Sequence, residues 1–267
     1  MIGRALHVLR ERRQLLQALV GRELKARYKG SALGVIWSLA TPLMMSCTYM
    51  FFFHYLAGRG APVESILIGI FAWQFTASSA NQGLLCITGN GNLVKKVAFP
   101  RELLPAAVTT GALIDYLLSL LVQVPLITFL LLRKDLAPQW TVLLLPLPLL
   151  LHALVNFSLA MLLGSLNTVF RDTQHFTGPG LTILFFLTPA MYDHAFIVQS
   201  AIDPRLADLS LVNPLAAIFS VYRALILPGT TLPDSPMLWV GLALPFLFAP
   251  LAWAVFRKWK KDFADYV

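Results

Sequence analysis

The sequence predicts an all-α polytopic membrane protein with six transmembrane helices, an N-terminal amphipathic interface helix and an outer re-entrant helical hairpin. Three observations carry this expectation. Of 267 residues, 57% are hydrophobic and only 13% are charged, where a soluble domain carries about a quarter charged residues; the mean hydropathy is +0.70. Six apolar stretches, near 35–57, 65–87, 106–132, 141–166, 176–198 and 237–256, have the length of about 20 residues that a spanning helix needs. The 21 Lys and Arg residues, finally, are distributed very unevenly around those stretches.

That unevenness sets the orientation. Cationic side chains are costly in hydrocarbon and favour the cytoplasmic side, where anionic lipid holds them. With the N-terminus inside, sixteen of the 21 fall on cytosolic segments and five (Arg59, Arg133, Lys134, Arg205 and Arg223) on outer ones. An even number of spans then places both termini in the cytosol. The net charge of +8 belongs to this pattern, so membrane lipid is an expected partner and nucleic acid is not. Prolines inside the spans, such as Pro125, Pro245 and Pro250, are tolerated where neighbouring groups satisfy the freed carbonyls.

The elements follow in order. Residues 6–30 read as a helix with Leu9, Leu16, Val20, Leu24 and Tyr28 on one side and the cations Arg22, Lys25 and Arg27 around it. Residues 1–34 are thus expected as a cytosolic interface helix with its apolar side in lipid. Gly30-Ser31 and Gly34 mark the bend into the first span, which is crowded with aromatic residues from Trp37 to Phe53.

The 88–105 connection, TGNGNLVKKVAFPRELLP, combines Leu93, Val94, Val97 and Phe99 with Lys95, Lys96 and Arg101. Apolar side chains in a basic inner loop suggest a short helix seated in a groove on another protein. In the outer 199–236 connection, Asn213-Pro214 is a helix start and Pro228-Gly229 a stop. About 14 residues between them make about 20 Å of helix, too short to cross. The segment lies on the outer surface or dips in and returns.

Little in the chain suggests chemistry of its own. His54, Asp115 and His152 are the ionisable residues inside the spans, with Asp193 near an outer end. Asp115 and Asn156 fall at similar depth, so a hydrogen bond between them is expected ahead of a proton relay. Asp172 is expected to cap the fifth span. No GxxxxGK[ST] run occurs, so ATP is not expected to bind here through a P-loop, and there is no GxSxG. Cys47 and Cys86 read as small buried hydrophobes, and no metal-ligand spacing is present.

Several stretches together resemble a known family. YKGSALGVIWSLATP (28–42), NLVKKVAFPRELLP (92–105), FRDTQHF (170–176), FFLTPAMY (185–192), NPLAAIFSVYRALIL (213–227) and the tail FRKWKKDFADYV are similar to the membrane subunit of polysaccharide-exporting type 2 ABC transporters. The resemblance covers 1–267 as a single transmembrane domain. It implies a permease, not an enzyme, that exports lipid-linked polysaccharide across a bacterial inner membrane, with O-antigen as the first choice of cargo. Teichoic acid, capsule or a small hydrophobic compound are the alternatives within the family; an ion-coupled secondary transporter, resting on Asp115, is the more distant one.

The resemblance further implies a homodimer with two copies of a separate ATPase subunit that carries the ATP and Mg2+, this chain holding no cofactor or metal. Coupling to the ATPase falls to Asn92, Leu93, Val94, Lys95, Lys96, Phe99 and Arg101, with Arg22, Lys25 and Arg27. Trp37, Tyr49, Phe52, Phe53, Phe185, Phe186 and Tyr192 are the candidate polysaccharide path. Asn213, Pro214, Phe219, Tyr222 and Arg223 are the candidate periplasmic gate.

Overall fold

A computed structural model describes residues 13–30, 34, 36–52, 61–96, 99–200 and 204–267. Among the described residues, all regular structure is helical, without strands. The helices are α1 (Arg13–Tyr28), α2 (Ile36–Met50), α3 (Val63–Leu85), α4 (Gly91–Lys96), α5 (Leu103–Leu132), α6 (Pro146–Val169), α7 (Thr173–Leu187), α8 (His194–Ser200), α9 (Pro204–Ser210), α10 (Pro214–Ile226), α11 (Pro236–Trp259) and α12 (Phe263–Tyr266).

Three of them, α5, α6 and α11, are long and apolar enough to cross a membrane. Their outward faces are Leu, Val, Phe and Trp: Leu121, Val124 and Phe129 on α5, Leu147 and Leu150 on α6, Trp239, Phe246 and Leu247 on α11. Prolines open α6, α10 and α11 at the first turn, where the missing N–H costs nothing.

The core is built on α3, which lies between α5 and α6. It runs antiparallel to α5: the Phe75 and Tyr116 rings stack 5.4 Å apart, and Gln123 donates to the Leu67 carbonyl at 3.1 Å. It runs parallel to α6: Thr76 Oγ1 is 2.7 Å from His152 Nε2, and further along Asn167 donates to the Leu84 carbonyl at 2.8 Å. Small residues let α3 and α6 touch backbone to backbone. A Cβ at Gly83 would meet Ala160 Cα at 2.5 Å, and one at Gly164 would meet the Gly83 carbonyl at 2.8 Å.

Several expectations change. The interface helix does not turn its apolar side to lipid. Leu19 and Val20 are buried in a cluster with Leu104, Ala107 and Val108 of α5. An apolar stripe fits a helix surface as well as hydrocarbon, and the helix surface also supplies a charge partner for Arg27. The 176–198 stretch is not one helix: α7 ends at Leu187, Thr188 is extended (φ −103°, ψ 130°), and α8 begins at His194. Pro189 disfavours a helical residue before it. Asp172 sits at the N-cap of α7, but its side chain makes no capping bond.

Cys86 is buried as expected, whereas Cys47 is exposed, because α2 packs on the bundle by one side only. The candidate path residue Phe53 lies outside the described residues.

Candidate functional site

At the end of the bundle that carries α4, three pieces distant in sequence form one unit. A short 3-10 turn, Thr88–Asn90, leads into α4. Arg22 of α1 donates to Asn90 Oδ1, and Asn90 in turn donates to the Cys86 carbonyl at 2.8 Å. Val94 is buried in the cluster that holds Leu19, Val20, Leu103 and Phe263, with Leu93 and Phe99 packed against its edge. Asn92, Lys95 and Lys96 point outward, as do Arg22 and Lys25.

A groove of about 510 Å3, lined by Arg22, Gly89, Asn92, Lys95 and Val267, runs between the pieces. Two of the candidate coupling cations are committed inside: Arg101 donates to the Lys260 carbonyl, and Arg27 faces the bundle. Sequence reasoning missed the part played by the tail. Its one signal was Phe263, an aromatic placed among charges in KKDFADYV.

Arg27 is the second feature. Its guanidinium pairs with Asp115 Oδ2 on α5 and donates to Gln82 Oε1 on α3, while Tyr28 donates to Asp115 Oδ1 at 2.8 Å. Burial pushes the Arg27 guanidinium below its ordinary value, and nearby Tyr28 and Glu23 pull it back up. Asp115 therefore does not bond Asn156, whose two amide atoms are both buried without a hydrogen-bond partner. Equal depth placed the two residues at one level, but not on facing sides.

Beside this pair a cavity of about 360 Å3 opens between α1, α2, α3 and α5. Trp37, Phe71, Phe75 and Tyr116 give it aromatic walls; Gln74, Ser78, Asp115 and Ser119 give it polar ones.

The aromatic path candidates divide into two groups. Trp37 stands at the cavity. Tyr49, Phe185, Phe186 and Tyr192 gather further along: the Tyr49 and Phe185 rings are 5.6 Å apart, Phe185 and Phe186 5.5 Å, and Tyr192 donates to the Phe186 carbonyl at 2.5 Å. Phe185 is only 6% exposed and also packs 5.2 Å from Trp73, so its ring is occupied by the core. Trp37, Phe52 and Phe186 are 49%, 53% and 54% exposed.

The gate candidates lie on α10, whose first turn is capped by Asn213 accepting from Leu215 N at 3.0 Å. The Asn213 amide also donates to Thr188 Oγ1 at 2.8 Å, joining α10 to the break after α7. Pro214 is the first helical residue, and Phe219 and Tyr222 are buried around His152, whose Nδ1 is 3.3 Å from the Tyr222 hydroxyl.

Arg223 is buried. It donates to the Ser65 carbonyl at 3.2 and 3.3 Å and to the Ala190 carbonyl at 3.2 Å. It thereby fastens α10 to α3 and to the 188–193 turn. Gly69 makes room: a Cβ there would fall 2.0 Å from the Ala190 carbonyl oxygen and 2.6 Å from Arg223 Nη2. Among the described residues, no group of three or more His, Cys, Asp or Glu side chains is placed to hold a metal.

Comparison with known proteins matches these features to a family. A model of the ABC-2 type transporter family matches residues 14–227. The O-antigen export system permease protein RfbA of Myxococcus xanthus is 32% identical, over 98% of this chain and 98% of its own. Two proteins of the same name from Klebsiella pneumoniae are 26% and 28% identical, each over 94% of both chains. The chain belongs to the ABC-2 type transporter family and is a membrane transport component rather than an enzyme.

Proposed function

We propose that this chain is the permease subunit of an ATP-driven exporter that moves lipid-linked polysaccharide, O-antigen first, across a bacterial inner membrane. Its relatives over nearly their whole length are named O-antigen export permeases, which favours that cargo over teichoic acid, capsule or a small hydrophobic compound. Two copies of a separate ATPase subunit bind the ATP and Mg2+. The chain crosses the membrane six times with both termini in the cytosol, and 199–236 forms the outer re-entrant hairpin. The break at Thr188-Pro189 and the 13-residue length of α10 support that hairpin.

The observation that carries this reading is the joined unit of α1, the 88–96 segment and the tail. It holds Arg22, Lys95 and Lys96 outward on one built surface. A solvated loop needs no such support; a docking surface for an ATPase does. Arg22, Lys25, Asn92, Leu93, Lys95 and Lys96 touch that partner, with Val94 and Phe99 as the apolar backing. Arg27 and Arg101 carry the contact inward.

A second copy of the chain covers α2 and α7. Their exposed residues include Thr41, Cys47, Thr48, Gln174, Gly178, Gly180 and Thr182 beside Trp37, Met44, Ile183 and Phe186, a surface that mixes small and polar groups with apolar ones where α5 and α11 expose mainly Leu, Val and Phe. Small and polar surfaces on membrane helices favour helix association or a water-lined path over lipid contact. The polysaccharide passes there, along Trp37, Phe52 and Phe186, and α10 with Asn213, Phe219, Tyr222 and Arg223 gates the outer end.

The pairing of Asp115 with Arg27 counts against an ion-coupled transporter, since the lone carboxylate is already neutralised. Co-purification with the ATPase encoded beside the gene tests the proposal. Lys95→Glu with Lys96→Glu is expected to release the ATPase while leaving membrane insertion intact. ATP hydrolysis by the permease alone, or unchanged co-purification of the double variant, overturns the reading.

A further inference from the structure

The residues that follow α11 return to the 88–102 segment and grip it at both ends. At its start, the Val267 side chain lies over Gly91: a Cβ there would fall 2.4 Å from Val267 Cγ1. At its finish, Arg101 donates to the Lys260 carbonyl, and the Lys260 ammonium reaches Glu102 Oε1 at 2.5 Å. Between the two, Phe263 is fully buried, edge-on to Phe256 of α11 at 5.3 Å, in the same cluster as Val94 and Leu103.

A helix of six residues has too few internal hydrogen bonds to hold its own shape. The shape of α4 is therefore set by what it packs against: among the described residues, α1 bonds the turn that leads into it, and the tail contacts Gly91 and shares the cluster that buries Val94.

We infer that residues 260–267 are a positioning strut for the coupling segment. They hold α4 against α11, so that force applied at Lys95 and Lys96 moves the bundle instead of bending the loop. The inference rests on the reading of 88–102 as the ATPase contact. It adds that the strut stays seated through the transport cycle and is not a flap that lifts. Phe263 acts through Val94 and touches no ATP.

The geometry supplies its own test. An ideal Cβ on Gly91 lies 3.7 Å from the Val267 Cβ, inside the about 3.5–4.5 Å range of disulfides. The pair Gly91→Cys and Val267→Cys is made in a Cys47→Ser, Cys86→Ala background and assembled with the partner ATPase in nanodiscs, with Mg-ATP as the probe. The bridge is expected to form in the resting complex and to leave permease-stimulated ATP hydrolysis unchanged.

Phe263→Ala is expected to keep the ATPase bound but cut its stimulation by about fivefold or more, the scale of coupling between linked sites. Phe263→Leu is expected to preserve it. Hydrolysis that stops on bridging and returns on reduction overturns the inference, because the tail must then leave α4. So does full stimulation in Phe263→Ala. If Phe263→Ala does not fold, the bridged pair decides. Failure of the unsubstituted chain to bind or stimulate the ATPase is a different result: it removes the coupling assignment itself.

Discussion

Replacing Asp115 by Asn tests how the interface helix is held. In the native chain the Arg27 and Asp115 side chains are 21% and 11% exposed, and Tyr28 adds a second bond to the carboxylate. Removing one member of a buried ion pair costs about 3–5 kcal/mol, because the surviving charge is left uncompensated. Arg27 keeps its bond to Gln82 and some access to solvent, which lowers the cost to about 2–3 kcal/mol.

At about 1.4 kcal/mol per factor of ten, the equilibrium between docked and released α1 shifts by about 30- to 150-fold. Hydrogen exchange of the α1 amides in detergent or nanodiscs reads that shift directly. Amides from Leu19 to Tyr28 are expected to lose protection by that factor while those of α6 do not change. Arg27→Met combined with Asp115→Leu removes both charges and is expected to recover most of the protection. Unchanged exchange in Asp115→Asn refutes the reasoning. So does a double variant that exchanges as fast as the single one.

Gly69→Ala is expected to lower thermal stability by about 1–3 kcal/mol, the cost of overpacking, because its Cβ would enter the Ala190 carbonyl and the Arg223 guanidinium. Gly21→Ala, whose Cβ meets nothing within 4 Å, is the control in the same detergent melting assay. Arg223→Met leaves the Ala190 carbonyl without its donor, a loss of about 1–3 kcal/mol for a buried group left unsatisfied, and takes from the Ser65 carbonyl the bond it accepts beside the α3 helix ladder. It is expected to loosen the 188–193 turn as well, read by increased proteolysis there; a turn as protected as the native one counts against the fastening role of Arg223.

Periodicity and composition made the apolar helices legible, and capping chemistry made α10 legible: Asn213 and Pro214 behave as their residue types dictate. What a helix faces was not legible. The stripe through Val20 and Leu24 suits lipid or protein equally, and the choice of α5 depends on Arg27 meeting Asp115, two residues 88 positions apart. Depth along a span is local arithmetic, whereas azimuth is set by all the packed helices together. That is why similar depth suggests a bond between Asp115 and Asn156, while the fold gives Asp115 to Arg27 and Tyr28.

The break at Thr188 was written in Pro189, but membrane helices often carry a proline without ending. The grip of Lys260 and Phe263 on 88–102 joins segments about 160 positions apart, and no local pattern carries such a contact. In the site as a whole, residue types marked out the candidate coupling cations and the candidate path aromatics. Their division into outward groups and groups held by internal partners came only from the packing.

The seam between α3 and α6 divides the molecule into a keel and movable planks. With Gly83, Ala160 and Gly164 in backbone contact, neither helix can slide past the other without atoms colliding. His152 and Thr76 lock the same pair further along. If the proposed path lies along α2 and α7, its freedom to widen resides in those helices, which bury few of their own residues and can change their tilt at small cost in packing.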